Sequence, residues 1–128
     1  SFFVMKSLNK IGHIEAIKAM NSINLVILKS PFMILFFFSS FIALVLFLES
    51  LFVYEILSFR GFASLVFLAG MFLCTAVKNV PLNDKLASFN DSLSPEIEWN
   101  NYYKNWTMWN HVRTASCFLS MAILLFSN

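Results

Sequence analysis

Two long apolar runs dominate the pattern of hydrophobic and polar positions along the chain. Positions 31–48 contain no charged residue, and as an α-helix they would rise about 27 Å, close to the thickness of a bilayer core. Positions 61–77 form a second run of similar length, which is flanked by Arg60 and Lys78. Each run predicts a transmembrane helix, and Pro31 suits the first turn of the earlier one.

A third apolar run, at positions 112–126, is too short to cross a bilayer by itself. The helix gains the missing length if it begins at Ser-Pro-Glu, positions 94–96. In that segment Ser suits the N-cap, Pro suits the first helical position, and Glu is favourable at the positive end of the helix dipole. We therefore predict one helix over 95–126, of which the part 106–126 crosses the membrane.

The remaining segments complete a helical bundle. The opening SFFVM, positions 1–5, has the pattern of the end of an apolar run, which predicts the remnant of a truncated first membrane helix. Positions 13–28 place apolar residues at helical spacing, which predicts an amphipathic helix along the membrane interface. Positions 78–94 are polar and contain Pro81, which predicts a loop with one short helical turn after Asn83.

The composition agrees with a membrane protein. Hydrophobic residues make up 59% of the chain and charged residues only 12%, whereas soluble domains carry about a quarter of charged residues. The predicted fold is all-α: a transmembrane four-helix bundle with a truncated first helix and an added interfacial helix. It forms a single integral membrane domain over 1–128, multi-pass, in contact with the lipid bilayer, and we expect it in the inner membrane of a bacterium.

Charge and metal-ligand patterns exclude two other classes of function. The formal net charge is +2, with no block of Lys and Arg that would follow a phosphate backbone, so we expect no nucleic-acid partner. The two cysteines, Cys74 and Cys117, lie in apolar runs, and His13 and His111 are far apart in the sequence. Because no Cys/His cluster has the spacing of a metal site, we predict no bound metal.

A stripe of aromatic and polar residues marks the last predicted helix. Its members follow one another at steps of four and three, which places them on one helical face: Trp99, Tyr103, Trp106, Asn110 and Arg113. One interpretation is an aromatic belt at the membrane interface. The other is the lining of a site, because an arginine in a membrane helix usually faces the bundle interior or water. The alignment of the polar residues with the tryptophans favours a site, since a belt requires no alignment.

A second polar group flanks Pro81. Asn79 and Asn83 either satisfy the end of the preceding helix or face the stripe. Because the last two predicted spans are sequential and antiparallel, this turn and the segment 106–113 should lie near the same membrane face. A cavity between them would combine aromatic walls with amide and guanidinium donors, as small-molecule sites tend to do.

These motifs resemble those of a known family. NVPLND, positions 79–84, followed by W-x3-Y-x2-W-x3-N-x2-R, positions 99–113, is similar to the signature of the small four-helix membrane proteins that include the anthrone oxygenases. The segments SFFVM, AIKAMNSIN and LCTAVKNVPLN also resemble that family, so the likeness covers nearly the whole chain. The resemblance implies the oxidation of an anthrone, or a similar flat phenolic substrate, with O₂ and without a metal or flavin cofactor.

The chemistry that the resemblance implies suggests a hypothesis for the roles of individual residues. The substrate-binding set is Asn79, Asn83, Trp99, Tyr103 and Trp106, and the catalytic set is His111, Arg113 and Asn110. The rings of Trp106 and Tyr103 would stack on the substrate. Arg113, Asn110 and Asn79 would stabilise a substrate oxyanion. His111 or a water would act as the base, although His111 is one position off the stripe and points about 100° away from Asn110.

The competing hypothesis is a non-catalytic accessory or structural subunit of a larger membrane complex. In that case the stripe would pair with a carboxylate of another membrane subunit or with a lipid headgroup. A cavity beside Trp106 and Arg113 would favour chemistry, whereas a stripe that is filled by neighbouring side chains or faces another chain would favour assembly.

Overall fold

The computed structural model describes residues 2–52, 58–90 and 94–126, and within these ranges every regular element is helical. The elements are α1 Phe2–Leu8, α2 His13–Leu28, α3 Pro31–Phe52, α4 Phe59–Phe67, two π-helical segments Leu68–Leu73 and Thr75–Asn79, α5 Val80–Ala87 and α6 Pro95–Leu125. The prediction of an all-α fold is confirmed. Ser1, the first position of the predicted remnant helix, lies outside the described residues.

Within the described ranges, two helices are long and apolar enough to cross a membrane. They are α3 and the composite helix Phe59–Ala87, which consists of α4, the two π-helical segments and α5. The buried positions of α3 recur at helical spacing and form the face that packs against α4: Phe36, Ser40, Ala43 and Ser50. Most of its other large apolar side chains are exposed. The arrangement of four spans stays a prediction.

The predicted loop at Pro81 is wrong, because the helix continues through the proline. Immediately before Pro81 the backbone is π-helical, and the Val80 N–H donates to the carbonyl of Thr75, five positions back. Pro81 falls in the first turn of α5, where its fixed φ suits a helix. The wider π turn also relieves the clash that a proline ring makes with the carbonyl four residues earlier in an α-helix. The helix therefore holds Asn79 and Asn83 on a rigid element instead of a loop.

α6 runs antiparallel to the composite helix along its length. At one end the Ser120 hydroxyl donates to the Ala63 carbonyl at 2.8 Å, and towards the other end the Tyr102 hydroxyl donates to Asn83 Oδ1 at 2.8 Å. Between these contacts Gly70 lies so close to α6 that an added Cβ would collide with a serine side chain. This register places the predicted stripe of α6 opposite the π-helical segments.

The beginning of α6 agrees with the prediction. Ser94 is the N-cap residue with an extended backbone, and Pro95 occupies the first turn. The helix ends at Leu125, next to the predicted last residue Phe126. The prediction of one long helix that extends well before its apolar run is therefore confirmed.

The buried core lies where α1, α2, α5 and the first half of α6 meet. Its members are Met5, Leu8, Ala16, Ile17, Met20, Leu86, Trp99 and Tyr102. Ala16 and Met20 belong to the predicted apolar face of α2, which packs on this core. Trp99 is fully buried, and its indole N–H donates to Asn9 Oδ1 at 2.9 Å. The location of α2 along a membrane interface stays a prediction.

Candidate functional site

A cavity of about 520 Å³ lies between α2, α3, the composite helix and α6. Its volume is in the usual range of small-molecule sites, roughly 300–1,000 Å³. Its lining includes Trp106 and these polar residues: Asn21, Asn24, Thr75, Asn79, Asn83, Asp84, Asn110 and Arg113. Leu25, Leu28 and Phe32 also line it and are themselves exposed, so the cavity opens to the surface where α2 meets α3.

The cavity brings together most of the site residues that the sequence indicates. Those that line it are Asn79, Asn83, Trp106, Asn110 and Arg113. Those that do not line it are Trp99, Tyr103 and His111. The stripe on α6 therefore passes from the protein core into the cavity along the same helical face.

Asn79 is the most deeply buried polar residue of the cavity. Its side chain is 2% exposed, and neither its Oδ1 nor its Nδ2 has a hydrogen-bond partner among the residues that the structure describes. A buried polar group without a partner costs about 1–3 kcal/mol, so it is retained where something other than folding requires it. Asn79 is the last residue of a π-helical segment, a feature that often marks functional sites in helices. Its carboxamide is a preformed donor and acceptor pair for a bound molecule.

Two more donors on α6, at the same cavity, lack a partner within the described part of the chain. The indole Nε1 of Trp106 and the guanidinium Nε of Arg113 are both buried and unbonded. Another nitrogen of Arg113, Nη2, donates weakly to the sulfur of Met71 at 3.7 Å, which ties the guanidinium to the composite helix. The cavity therefore presents N–H groups that are oriented by the protein and available to an acceptor.

Asn83 is held by a residue that the sequence analysis did not select. Its Oδ1 accepts the Tyr102 hydroxyl, and Tyr102 is 2% exposed. Burial raises the pKa of the Tyr102 phenol well above its ordinary value, an effect that the neighbouring Asn24 side chain partly offsets. The ring of Tyr102 stacks against that of Trp106, with centroids 6.3 Å apart. Tyr102 thus positions one amide and one aromatic wall of the cavity.

The three predicted residues outside the cavity have other environments. Trp99 is in the core with its N–H bonded, and Tyr103 is half-buried against that core. His111 is exposed. Because consecutive helical positions differ by about 100°, a residue next to Asn110 faces away from the cavity that Asn110 lines.

Four polar lining residues were missed by the sequence analysis. Asn21 and Asn24 come from α2, Thr75 from a π-helical segment, and Asp84 from α5. The signal for the first pair is their spacing of three, which puts two amides on one side of an otherwise apolar helix end. Asp84 was present in the NVPLND motif, but a predicted loop assigns no direction to a side chain.

The described ranges contain no group of three or more His, Cys, Asp or Glu side chains that would hold a metal ion. The predicted absence of a metal stays a prediction.

The comparison with known families agrees with the resemblance carried by these motifs. The family model for anthrone oxygenase matches residues 28–123, which include all of the α6 stripe and the NVPLND segment. No curated protein and no solved structure matches the chain. The match covers well over half of the sequence, and the chain therefore belongs to the anthrone oxygenase family.

Proposed function

We propose that this chain is a multi-pass membrane protein that uses O₂ to oxidise a flat, anthrone-like aromatic substrate in the cavity between α2, α3 and α6. The family match and the polar lining of the cavity support this function. The reaction needs no metal or flavin in this proposal, because the carbanion of such a substrate is electron-rich enough to reduce O₂ itself.

The proposed membrane arrangement has four spans. α3 and the composite helix Phe59–Ala87 are two of them, the apolar end of α6 is a third, and α1 belongs to the fourth. The exposed Phe and Leu side chains of α3 support this arrangement, since a bilayer is the solvent that suits them. The bilayer in question would be the inner membrane of a bacterium.

The proposed chemistry balances with O₂ as the only co-reactant. Removal of a proton from the benzylic carbon gives an enolate. Its charge lies largely on the ketone oxygen, at the opposite side of the central ring. The enolate passes one electron to O₂, and the resulting radical pair combines into a peroxide anion at the same carbon, which takes back the first proton to give a hydroperoxide. Loss of the second proton from that carbon breaks the O–O bond and releases water. One anthrone and one O₂ thus give one anthraquinone and one H₂O.

The cavity donors suit the charged intermediate of this sequence. Asn79 Nδ2, Trp106 Nε1 and Arg113 Nε can donate to the enolate oxygen, and they are buried and oriented before the substrate arrives. Preorganised donors of this kind stabilise developing charge more strongly than water does. Trp106 lines the cavity and is backed by the ring of Tyr102, so it provides an aromatic wall against which flat rings pack.

The observation that carries the proposal is the buried, unpartnered carboxamide of Asn79 beside the unpartnered nitrogens of Trp106 and Arg113. A stripe that served only to pack helices would have its polar atoms bonded within the protein. The accessory-subunit alternative stays a prediction, because the exposed apolar face of α3 suits a neighbouring subunit and lipid equally well.

The test measures O₂ uptake by the full chain in lipid nanodiscs with an anthrone as substrate. We expect enzyme-dependent uptake that a metal chelator leaves unchanged, with one anthraquinone formed per O₂ consumed. Replacing Arg113 with Ala should lower kcat about 10²- to 10³-fold through the lost oxyanion contact. Arg60→Ala is the matched control, since Arg60 is exposed and does not line the cavity. Equal uptake by Arg113→Ala and by the wild type, in folded protein, would contradict the oxyanion role.

A further inference from the structure

The cavity contains one ionisable acid, Asp84, among the described residues that line it. Its side chain is exposed, whereas the nearby amide of Asn79 is buried, so the carboxylate lies where the cavity meets water. Asp84 takes no part in the salt bridge found among the described residues, which joins Lys85 to Glu98 at 3.1 Å. A carboxylate in this position can exchange protons with solvent.

The face of α5 directs Asp84 towards the cavity. The lining residues of α5 are spaced by three, one and three positions, which is a single helical face: Val80, Asn83, Asp84 and Ala87. The neighbouring Asn83 is fixed by its hydrogen bond from Tyr102, which holds this face against α6. The position of Asp84 is thus set by the same contacts that build the cavity.

Asp84 and the oxyanion donors are separated along the composite helix. Asn79 precedes Asp84 by five positions, an axial rise of about 7.5 Å. In an anthrone the acidic C–H and the ketone oxygen lie on opposite sides of the central ring. Both side chains line the same cavity, so a substrate held there can meet them at different heights along the helix. The substrate oxygen would then face Asn79 while its acidic carbon faces Asp84.

We propose that Asp84, and not His111, is the base that removes the substrate proton; this inference rests on the proposed function. The Asp84 carboxylate takes the first benzylic proton as the C–H electron pair is delocalised onto the ketone oxygen. After O₂ has added, the carboxylic acid returns that proton to the peroxide anion. The carboxylate then takes the second proton as the carbonyl forms and hydroxide leaves, and it passes this proton to the hydroxide to give water.

A carboxylate is a weak base for a C–H acid, so its effectiveness depends on the donors across the ring. Asn79, Trp106 and Arg113 lower the free energy of the enolate and therefore the demand on the base. His111 has no such relation to the donors, since it is exposed and does not line the cavity.

The test compares Asp84→Asn, Asp84→Ala and Asp84→Glu in the nanodisc assay. We expect Asp84→Asn to lower kcat about 10²- to 10⁴-fold with little change in KM, because the substrate still binds and only the base is lost. A substrate deuterated at the benzylic carbon should show a larger kinetic isotope effect with Asp84→Asn than with the wild type. Added acetate should restore part of the activity of Asp84→Ala, and Asp84→Glu should retain more activity than Asp84→Asn. Glu96→Gln is the matched control, an exposed carboxylate outside the cavity.

Two outcomes overturn the inference while the proposed function stands. One is an active wild type whose kcat and isotope effect are unchanged in Asp84→Asn. The other is a loss of activity in His111→Ala that exceeds the loss in Asp84→Asn. If the wild type itself consumes no O₂ with any anthrone, the proposed function fails, and the role of Asp84 fails with it.

Discussion

Trp99 and Trp106 lie seven positions apart on the same face of α6, yet their environments differ completely. Trp99 is fully buried in the core, and its N–H is bonded to Asn9. Trp106 is only partly buried, borders the cavity, and has no partner for its N–H. Two turns of one helix thus separate a residue whose N–H is bonded in the core from one whose N–H faces the cavity without a partner among the described residues.

The same contrast holds for the asparagines of the composite helix. Asn83 Oδ1 accepts the Tyr102 hydroxyl, whereas the whole carboxamide of Asn79 is unbonded although it is more deeply buried. The part of α6 near Trp99 and Tyr102 belongs to the packed core, and the part from Trp106 to Arg113 lines the cavity. Stability and function are therefore separable by substitution along one pair of helices.

The largest effect is expected from truncating the two tryptophans. Trp99→Ala should lower the free energy of unfolding by about 3–5 kcal/mol, since it removes a fully buried ring and leaves Asn9 unbonded. Trp106→Ala should lower the free energy of unfolding by clearly less, because the Trp106 ring already borders the cavity. The same variant should abolish anthrone oxidation. Denaturant unfolding in detergent micelles, followed by circular dichroism, measures both changes. Equal losses of stability in the two variants would remove the distinction between core and site.

A smaller change in stability, of opposite sign, is expected from removing the amide of Asn79. Asn79→Leu should raise the free energy of unfolding by about 1–3 kcal/mol, because it removes two buried polar atoms that lack partners. The same variant should lose activity, since it removes an oxyanion donor. Asn83→Leu is the control: it leaves the buried Tyr102 hydroxyl without an acceptor and should lower stability by about 1–3 kcal/mol. A destabilised Asn79→Leu would mean that the Asn79 amide is bonded in the folded protein.

The helices were predictable to the extent that apolar runs define them. The uncharged stretch 31–48 predicts α3, and Ser94 with Pro95 predicts the start of α6. Pro81 misled the prediction because its tolerance depends on the π-helical turn before it, in which Val80 pairs with Thr75. That local register has no known signature in hydrophobic spacing, so it was not predictable from the pattern.

The sequence predicts which residues of α6 share the helical face of the site, but it does not predict how deeply each of them is buried. Spacing places Trp99 and Trp106 on one face, and it cannot tell which of them a neighbouring helix covers. That distinction depends on the antiparallel register of α6 and on the approach of α2, which also brings Asn21 and Asn24 to the cavity. Asp84 was missed for the same reason, since its direction is defined only once α5 is a helix.

The smallest expected effect is a change in the pH dependence of stability, caused by Tyr102 in the packed core. Because burial holds the pKa of Tyr102 above its ordinary value of 10.0, the folded protein keeps the phenol proton at a pH where the unfolded chain releases it. Stability is therefore unaffected by this group below about pH 9 and falls as the pH rises through 10, by at most about 1.4 kcal/mol per pH unit. Tyr102→Phe should remove this slope between pH 9.5 and 11, whereas Tyr103→Phe, at the half-buried neighbour, should retain it. Parallel pH profiles of stability for the wild type and Tyr102→Phe would show that the Tyr102 phenol ionises as readily in the folded protein as in water. The core around Tyr102 would then be as accessible to water as the cavity.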